Sequence, residues 1–164
     1  MDEIILQQFD EIFSDPEYQT DNAVAILANS SALINQLVPD LNWAGFYLWH
    51  QEKQQLELGP FQGKIACSTI ASATGVCGTA YAEQRPVRVA NVHEFAGHIA
   101  CDAATDSELV IPLTFGDQRI GVLDLDSPKL DRFSERDQTI LVQLAAKIAT
   151  LLTRTASTPN LTHD

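Results

Sequence analysis

Apolar positions along the chain fall into two periods, and the switches between them mark its elements. Residues 4–13, from Ile4 to Phe13, read as a short amphipathic helix. Asp21 and Asn22 can cap a second helix in which Val24, Leu27, Ile34 and Val38 recur at three-, seven- and four-residue intervals, closed by Pro39. "WAGFYLWH" (43–50) is aromatic and extended in character, which predicts a core strand. "QLELG" (55–59) alternates and is expected to pair with it across the polar QEKQ turn, and "PVRVANV" (86–92) reads as another short strand. "ELVIPLTF" and "RIGVLDLD", joined by Gly116-Asp117-Gln118, suit an antiparallel hairpin. A short helix is expected over Thr79 to Glu83. A last one is opened by the S-x-x-D signal of Ser134 and Asp137 and striped by Ile140, Leu141, Leu144, Ile148 and Leu152. Helices bracketing a mostly antiparallel sheet define an α+β domain over 1–154. The polar tail 155–164, with Pro159, is expected to fray.

Composition narrows the classes. With 164 residues, 45% apolar and 20% charged, the chain can bury roughly two thirds of its unfolded surface without disulfide staples. No apolar run approaches the roughly 20 residues needed to span a bilayer. The start, MDEIILQQFDE, carries acids where a signal peptide carries lysine or arginine, and three cysteines is an odd count. Both point to a reducing cytoplasm. The net charge is −12, and residues 1–52 hold nine of the 22 acids and none of the ten lysines and arginines. Such a surface repels phosphate, which argues against a nucleic-acid ligand and fits a solvated helical face.

The candidate chemistry lies in thiols and carboxylates. In "GHIACDAATDSELVIP" (97–112) a cysteine sits among small residues, with His98 three positions before Cys101 and acids close behind. His93, His98 and Cys101, with Cys67 or Cys77, could supply metal ligands, but their spacings lack the paired C-x-x-C knuckles of structural zinc sites, and no metal is expected. His93 reads as a satisfied loop residue. Cys67, Cys77 and Cys101 all sit beside glycine or alanine on segments that read as loops or element ends, which favours redox work over inert packing. Cys77, at the start of the expected short helix, would have its pKa lowered by the dipole, so spacing alone leaves Cys77 and Cys101 both open as the nucleophile. In "GVLDLDS" a two-residue period puts Asp124 and Asp126 on one face, and Glu108 opens the partner strand. A half-exposed strand would explain the aspartates. If the register gathers all three, however, like charges raise at least one pKa and keep an acid protonated near neutral pH. An acid beside a thiol is what sulfoxide reduction needs.

"NWAGFYLW", "LGPFQGKIAC", "GVCGTA", "NVHEFAGHIACDAATDSELVIPL" and "GVLDLDSP", followed by "DRFSERD", resemble the free methionine-(R)-sulfoxide reductases, which have the GAF fold. The resemblance runs in order from about residue 20 to 152, with isoleucine at 65 and alanine at 96 where proline is expected. It implies that Cys101 is the nucleophile, Cys67 the cysteine that resolves it by a disulfide, and Cys77 an auxiliary thiol. It further implies that Glu108, Asp124 and Asp126 are acids of the substrate pocket and that Trp43 and Tyr47 line it. Plain strand core is the competing account of those two aromatics. Free methionine sulfoxide as substrate, thioredoxin as reductant, a homodimer and no cofactor are implied in the same way. Acids beside a thiolate raise its pKa, so His98 or backbone N–H groups of the 97–101 loop are expected to offset them. The rival readings are a GAF-type binding module without catalysis and a redox switch; neither needs methionine sulfoxide.

Overall fold

The computed structural model describes residues 1–98 and 101–154; the expectation for the tail 155–164 lies outside the described residues. Six strands form one antiparallel sheet: β1 (Trp43–His50), β2 (Gln55–Gly63), β3 (Thr69–Ala71), β4 (Val87–Val89), β5 (Ser107–Phe115) and β6 (Gln118–Ser127), in the spatial order β3-β2-β1-β6-β5-β4. Helices α1 (Ile4–Ser14), α2 (Ala23–Leu37) and α4 (Glu135–Arg154) cover one face, while α3 (Gly75–Glu83) packs on the other.

The strand period sorts side chains between two cores. Ala44, Phe46, Leu48, Leu109, Ile111, Leu123 and Leu125 join Phe9, Leu27, Ile34, Leu141 and Leu144 in the three-helix layer. Trp43, Tyr47, Trp49, Val110 and Val122 face the opposite way, against Val76, Ala80 and Tyr81 of α3. Helices therefore cover both faces of β1, and all eight of its residues are buried. Alternate residues of the central strands below α3 are sheltered from water even where they are polar.

Several elements match the expected pattern, and the differences have local causes. Asn22 caps α2 by accepting from the Val24 and Ala25 N–H groups. Val24 itself is 49% exposed, because the buried stripe runs through Ile26, Leu27, Leu33 and Ile34 instead. Ser134 and Asp137 bond reciprocally at the start of α4, each side chain accepting from the other's N–H at 3.1 and 3.0 Å. β2 runs on through Pro60 to Gly63, four residues beyond the alternating stretch. It does so past an irregularity opposite Gly45–Tyr47, where a Cβ on Gly45 would collide with Phe61. β3 is a three-residue edge strand without a periodic signal. α3 begins at Gly75, four residues before the expected start, on a left-handed glycine (φ 64°) and with no side-chain cap at Thr74.

Candidate active site

The pocket floor is the α3-facing side of β1, β5 and β6. The hairpin register sets Glu108 directly opposite Asp126, and Asp126 in turn faces Trp43 across the β1–β6 ladder. Asp124 stands two residues back along the same face, opposite Gly45 and Val110. Glu108 and Asp124 are only 6% and 5% exposed, so the half-exposed-strand account fails for Asp124, while Asp126 is half-buried: α3 and two loops roof what would otherwise be a wet face. Burial, reinforced by Asp124 and Asp126, pushes the Glu108 carboxyl well above its ordinary range. Burial and the neighbouring Asp124 do the same to Asp126. Asp124 is raised by burial but opposed by hydrogen bonds from Glu108, Cys77 and Asp126. The three carboxyls thus titrate together and retain protons at pH values where isolated ones would be ionised. One oxygen each of Asp124 and Asp126 (Oδ1) is buried without a hydrogen-bond partner among the described residues, and both residues line the pocket.

Cys77 departs from expectation. It is the third residue of α3, buried, with its thiol donating toward Glu108 Oε1 at 3.9 Å. Burial first, then Asp124 and Glu108, drives its pKa well above the usual thiol value. The dipole of a helix this short does not outweigh three carboxyl neighbours and full desolvation. Cys77 lies at an element end, near the start of a helix as expected, but its burial and raised pKa leave it without activation.

The other two thiols lie at the pocket mouth. Cys67, between β2 and β3, and Cys101, in the segment before β5, are joined by a disulfide across 34 residues with Cα atoms 5.5 Å apart, within the ordinary range for such a bridge. Trp43 and Tyr47 carry the Cys67 loop as well as walling the pocket. The Tyr47 hydroxyl donates to the Cys67 carbonyl at 3.0 Å, and Trp43 Nε1 donates to the Lys64 carbonyl at 3.2 Å. Their rings stack at 5.8 Å, and Trp43 stacks on Phe61 at 5.0 Å. Burial and the neighbouring Asp124 raise the Tyr47 phenol far above its usual value, so it stays protonated as a donor.

His98 lies 3.9 Å from Glu108 Oε2, yet burial holds its pKa below the ordinary imidazole value, so near neutrality it is uncharged and supplies no cation to offset the acids. Of the alternative offset, the N–H groups of the 97–101 loop, that of His98 donates to the Phe95 carbonyl at 3.2 Å, and those of Ile99 and Ala100 lie outside the described residues. His93 pairs with Asp106 at 3.0 Å and takes no part in the pocket lining. Among the described residues, the donors that could converge on a metal are Cys77, Glu108 and Asp124, with ligand-type atoms within 4.8 Å of one another. This is a different set from the histidine-centred one considered from spacing. Sequence reasoning missed Ile70, Thr74, Val76, Asp102 and Thr105 as lining residues. Ile70 comes from the edge strand β3, and the others come from α3, the residue before it and the Cys101 segment folding over the sheet, which no local pattern announces.

An enclosed pocket with proton-holding acids beneath and a redox-capable thiol pair at its mouth can donate a proton to a small polar molecule and exchange two electrons with it. Comparison with known proteins gives this geometry a context. A profile of the GAF domain matches residues 30–153. The free methionine-R-sulfoxide reductase of Escherichia coli is 52% identical over 132 residues, covering 80% of this chain and 79% of that protein. The yeast (Saccharomyces cerevisiae) protein of the same name is 43% identical over 133 residues, covering 77% and 74%. Among solved structures, the free methionine-R-sulfoxide reductase of Neisseria meningitidis in complex with its substrate superposes with a TM-score of 0.87 at 36% identity, covering 93% of this chain and 89% of that one.

Proposed function

Because this chain belongs to the free methionine-(R)-sulfoxide reductases, a family of GAF-domain proteins, we propose that it reduces free L-methionine-(R)-S-oxide to L-methionine. The observation that carries this reading is the Cys67–Cys101 pair, of which Cys101 lines a pocket floored by the Glu108, Asp124 and Asp126 carboxyl cluster.

In the reaction so read, the substrate ammonium group lies against the unpartnered oxygens of Asp124 and Asp126, and Trp43 and Tyr47 hold the thioether portion. A protonated carboxyl, drawn from Glu108 and Asp126 because burial and like charge raise both strongly, donates to the sulfoxide oxygen. Protonation makes sulfur electrophilic, and the Cys101 thiolate attacks it. The attack forms a bond between the Cys101 and methionine sulfurs. As this bond and the methionine S–O bond break, the protonated oxygen moves to the Cys101 sulfur, so methionine leaves with the electron pair and Cys101 becomes a sulfenic acid. The Cys67 thiolate attacks the sulfenic sulfur, the S–S bond forms, and the oxygen departs as water with two protons. A thioredoxin-type dithiol then reduces the disulfide and is itself oxidised. Cys77 acts through the carboxyl cluster that it touches, with no sulfur chemistry of its own. Protein-bound methionine sulfoxide is refused because it lacks the ammonium group and cannot pass the two loops. The enzyme works as a homodimer, as the family resemblance implies, in the reducing cytoplasm that its odd cysteine count favours.

The test is consumption of free methionine-R-sulfoxide with thioredoxin recycling, for wild type beside Cys101→Ser. Turnover by the wild type alone supports the reaction and its nucleophile together. Binding of a small molecule without turnover would replace it with the binding-module reading.

A further inference from the structure

The segment from Phe95 to Asp106, which carries Cys101, contains no helix or strand among its described residues, yet it must present a sulfur within bonding distance of Cys67. Asn42 supplies an anchor. This residue precedes β1, and its own N–H extends the β1–β6 ladder by donating to the Asp126 carbonyl at 2.9 Å. Its backbone is therefore part of the sheet. Its amide nitrogen donates to Asp102 Oδ2 and to Thr105 Oγ1, each at 3.0 Å, and so straddles the stretch immediately after Cys101. Asp102 in turn accepts from the Ala104 N–H at 2.9 Å, and the Thr105 N–H donates to the Asp102 carbonyl, which closes that stretch into a turn.

Only an amide suits this position. A carboxylate accepts and does not donate, so the Asn42 NH2 must point at Asp102, and its two hydrogens serve the two oxygens at once. That orientation leaves Asn42 Oδ1 buried without a partner among the described residues. The molecule tolerates an unsatisfied carbonyl to keep both donors on the loop. Aspartate here would set two carboxylates face to face; alanine would leave Asp102 and Thr105 untethered.

We propose that Asn42 is a positioning residue that ties the Cys101 loop to the sheet and thereby sets the equilibrium between the Cys67–Cys101 disulfide and its dithiol. The inference rests on the reading of this pair as redox-active but needs no sulfoxide to test. Closing a disulfide from two loops depends on how often their sulfurs meet. Anchoring one loop raises that frequency in the dithiol and favours oxidation.

The experiment equilibrates wild type, Asn42→Ala and Asn42→Asp with oxidised and reduced dithiothreitol, traps free thiols by alkylation and counts them by mass. At pH 7 both variants are expected to shift about tenfold toward the dithiol, equivalent to a potential less negative by about 30 mV. At pH 5 Asn42→Asp should move back toward the wild-type constant measured at that pH, because a carboxyl–carboxylate pair can share one proton, while Asn42→Ala should not. The charged groups that bear on Asp102 from neighbouring elements are Lys64 and Asp126, unchanged in all these proteins. Thr105→Val removes one acceptor without changing side-chain volume and should shift the constant about threefold in the same direction; it carries the test if the Asn42 variants do not fold. Constants within twofold of wild type in every variant would overturn the proposal. So would equal displacement of Asn42→Ala and Asn42→Asp at both pH values. Absence of sulfoxide turnover in the wild type would be a separate result, against the reaction and not against the tether.

Discussion

Glu108 shows how a residue can be chemically conspicuous in sequence and still be misjudged. The two-residue period of "GVLDLDS" already set Asp124 and Asp126 on one face, with Leu123 and Leu125 on the other, and the hairpin brought Glu108 opposite Asp126 as its strand order suggested. Burial was not legible, since an acidic strand face is ordinarily wet. With its carboxyl raised, Glu108 is the group whose replacement is most informative. Glu108→Gln keeps the shape and removes one of the two carboxyls proposed as proton donor; with Glu108 as the donor, kcat for methionine sulfoxide should fall by about 10²- to 10⁴-fold. The same shift predicts a pH dependence of stability. Unfolded, Glu108 and Asp126 lose their protons near 4.5 and 3.8, whereas the folded chain holds them to higher pH. Their contribution is complete below those values and is lost as pH rises through the folded ones. Asp137, lowered by the Ser134 N–H, the terminal amine and Arg132 against its own burial, works oppositely and loses its contribution only as pH falls below 3.8. Melting temperature should therefore decline between pH 5 and 8, and Glu108→Gln should flatten that slope. A melting temperature that climbs over this range in the wild type would contradict the buried-acid account.

Among elements, α3 departs most from expectation, and the cause is its lack of an apolar stripe. Six of its nine residues are buried, so there is no polar side to set against an apolar one. Gly75 and Gly78 also read as breakers. In the fold Gly75 takes a left-handed φ and Gly78 is a contact point: a Cβ on Gly78 would stand 2.5 Å from the Ala71 carbonyl and 3.2 Å from the Ala73 nitrogen, backbone atoms that cannot rotate aside. On an exposed helix, Gly→Ala stabilises by about 1 kcal/mol. Here the overpacking cost of about 1–3 kcal/mol exceeds that gain. Gly78→Ala should lower the melting temperature and, by displacing the adjoining Cys77 from Glu108, lower turnover too. A stabilised and fully active variant would show that α3 is not held at this distance. The amphipathic α1 and α4, by contrast, were readable almost residue by residue, because each buries a single stripe.

For the whole molecule, the Cys67–Cys101 bridge ties the β2–β3 loop to the segment before β5 and closes a loop of 34 residues. A closed loop of that size restrains the unfolded chain by about 3–4 kcal/mol. Reduction should accordingly lower the melting temperature by roughly 6 to 16 °C. Cys67→Ser should melt like the reduced wild type and, in the sulfoxide assay, complete about one turnover before stalling with thioredoxin. Sustained turnover in that variant would remove Cys67 from the cycle.

By itself, the sequence determined what repeats at short range: the amphipathic helices, the central strands, the hairpin that gathers three carboxylates, and the motif blocks that mark the family. Each rests on residues within a few positions of one another, where periodicity and turn chemistry act directly. Only the tertiary structure decided that Glu108 and Asp124 are dry, that Cys77 is a buried neighbour and not an exposed thiol, and that Trp43 and Tyr47 hold a loop as well as wall a pocket. Protonation and reactivity follow from the solvent and charges around a group, and those arrive from segments up to some sixty residues away, as Asn42 and Asp102 do. No local pattern encodes that meeting.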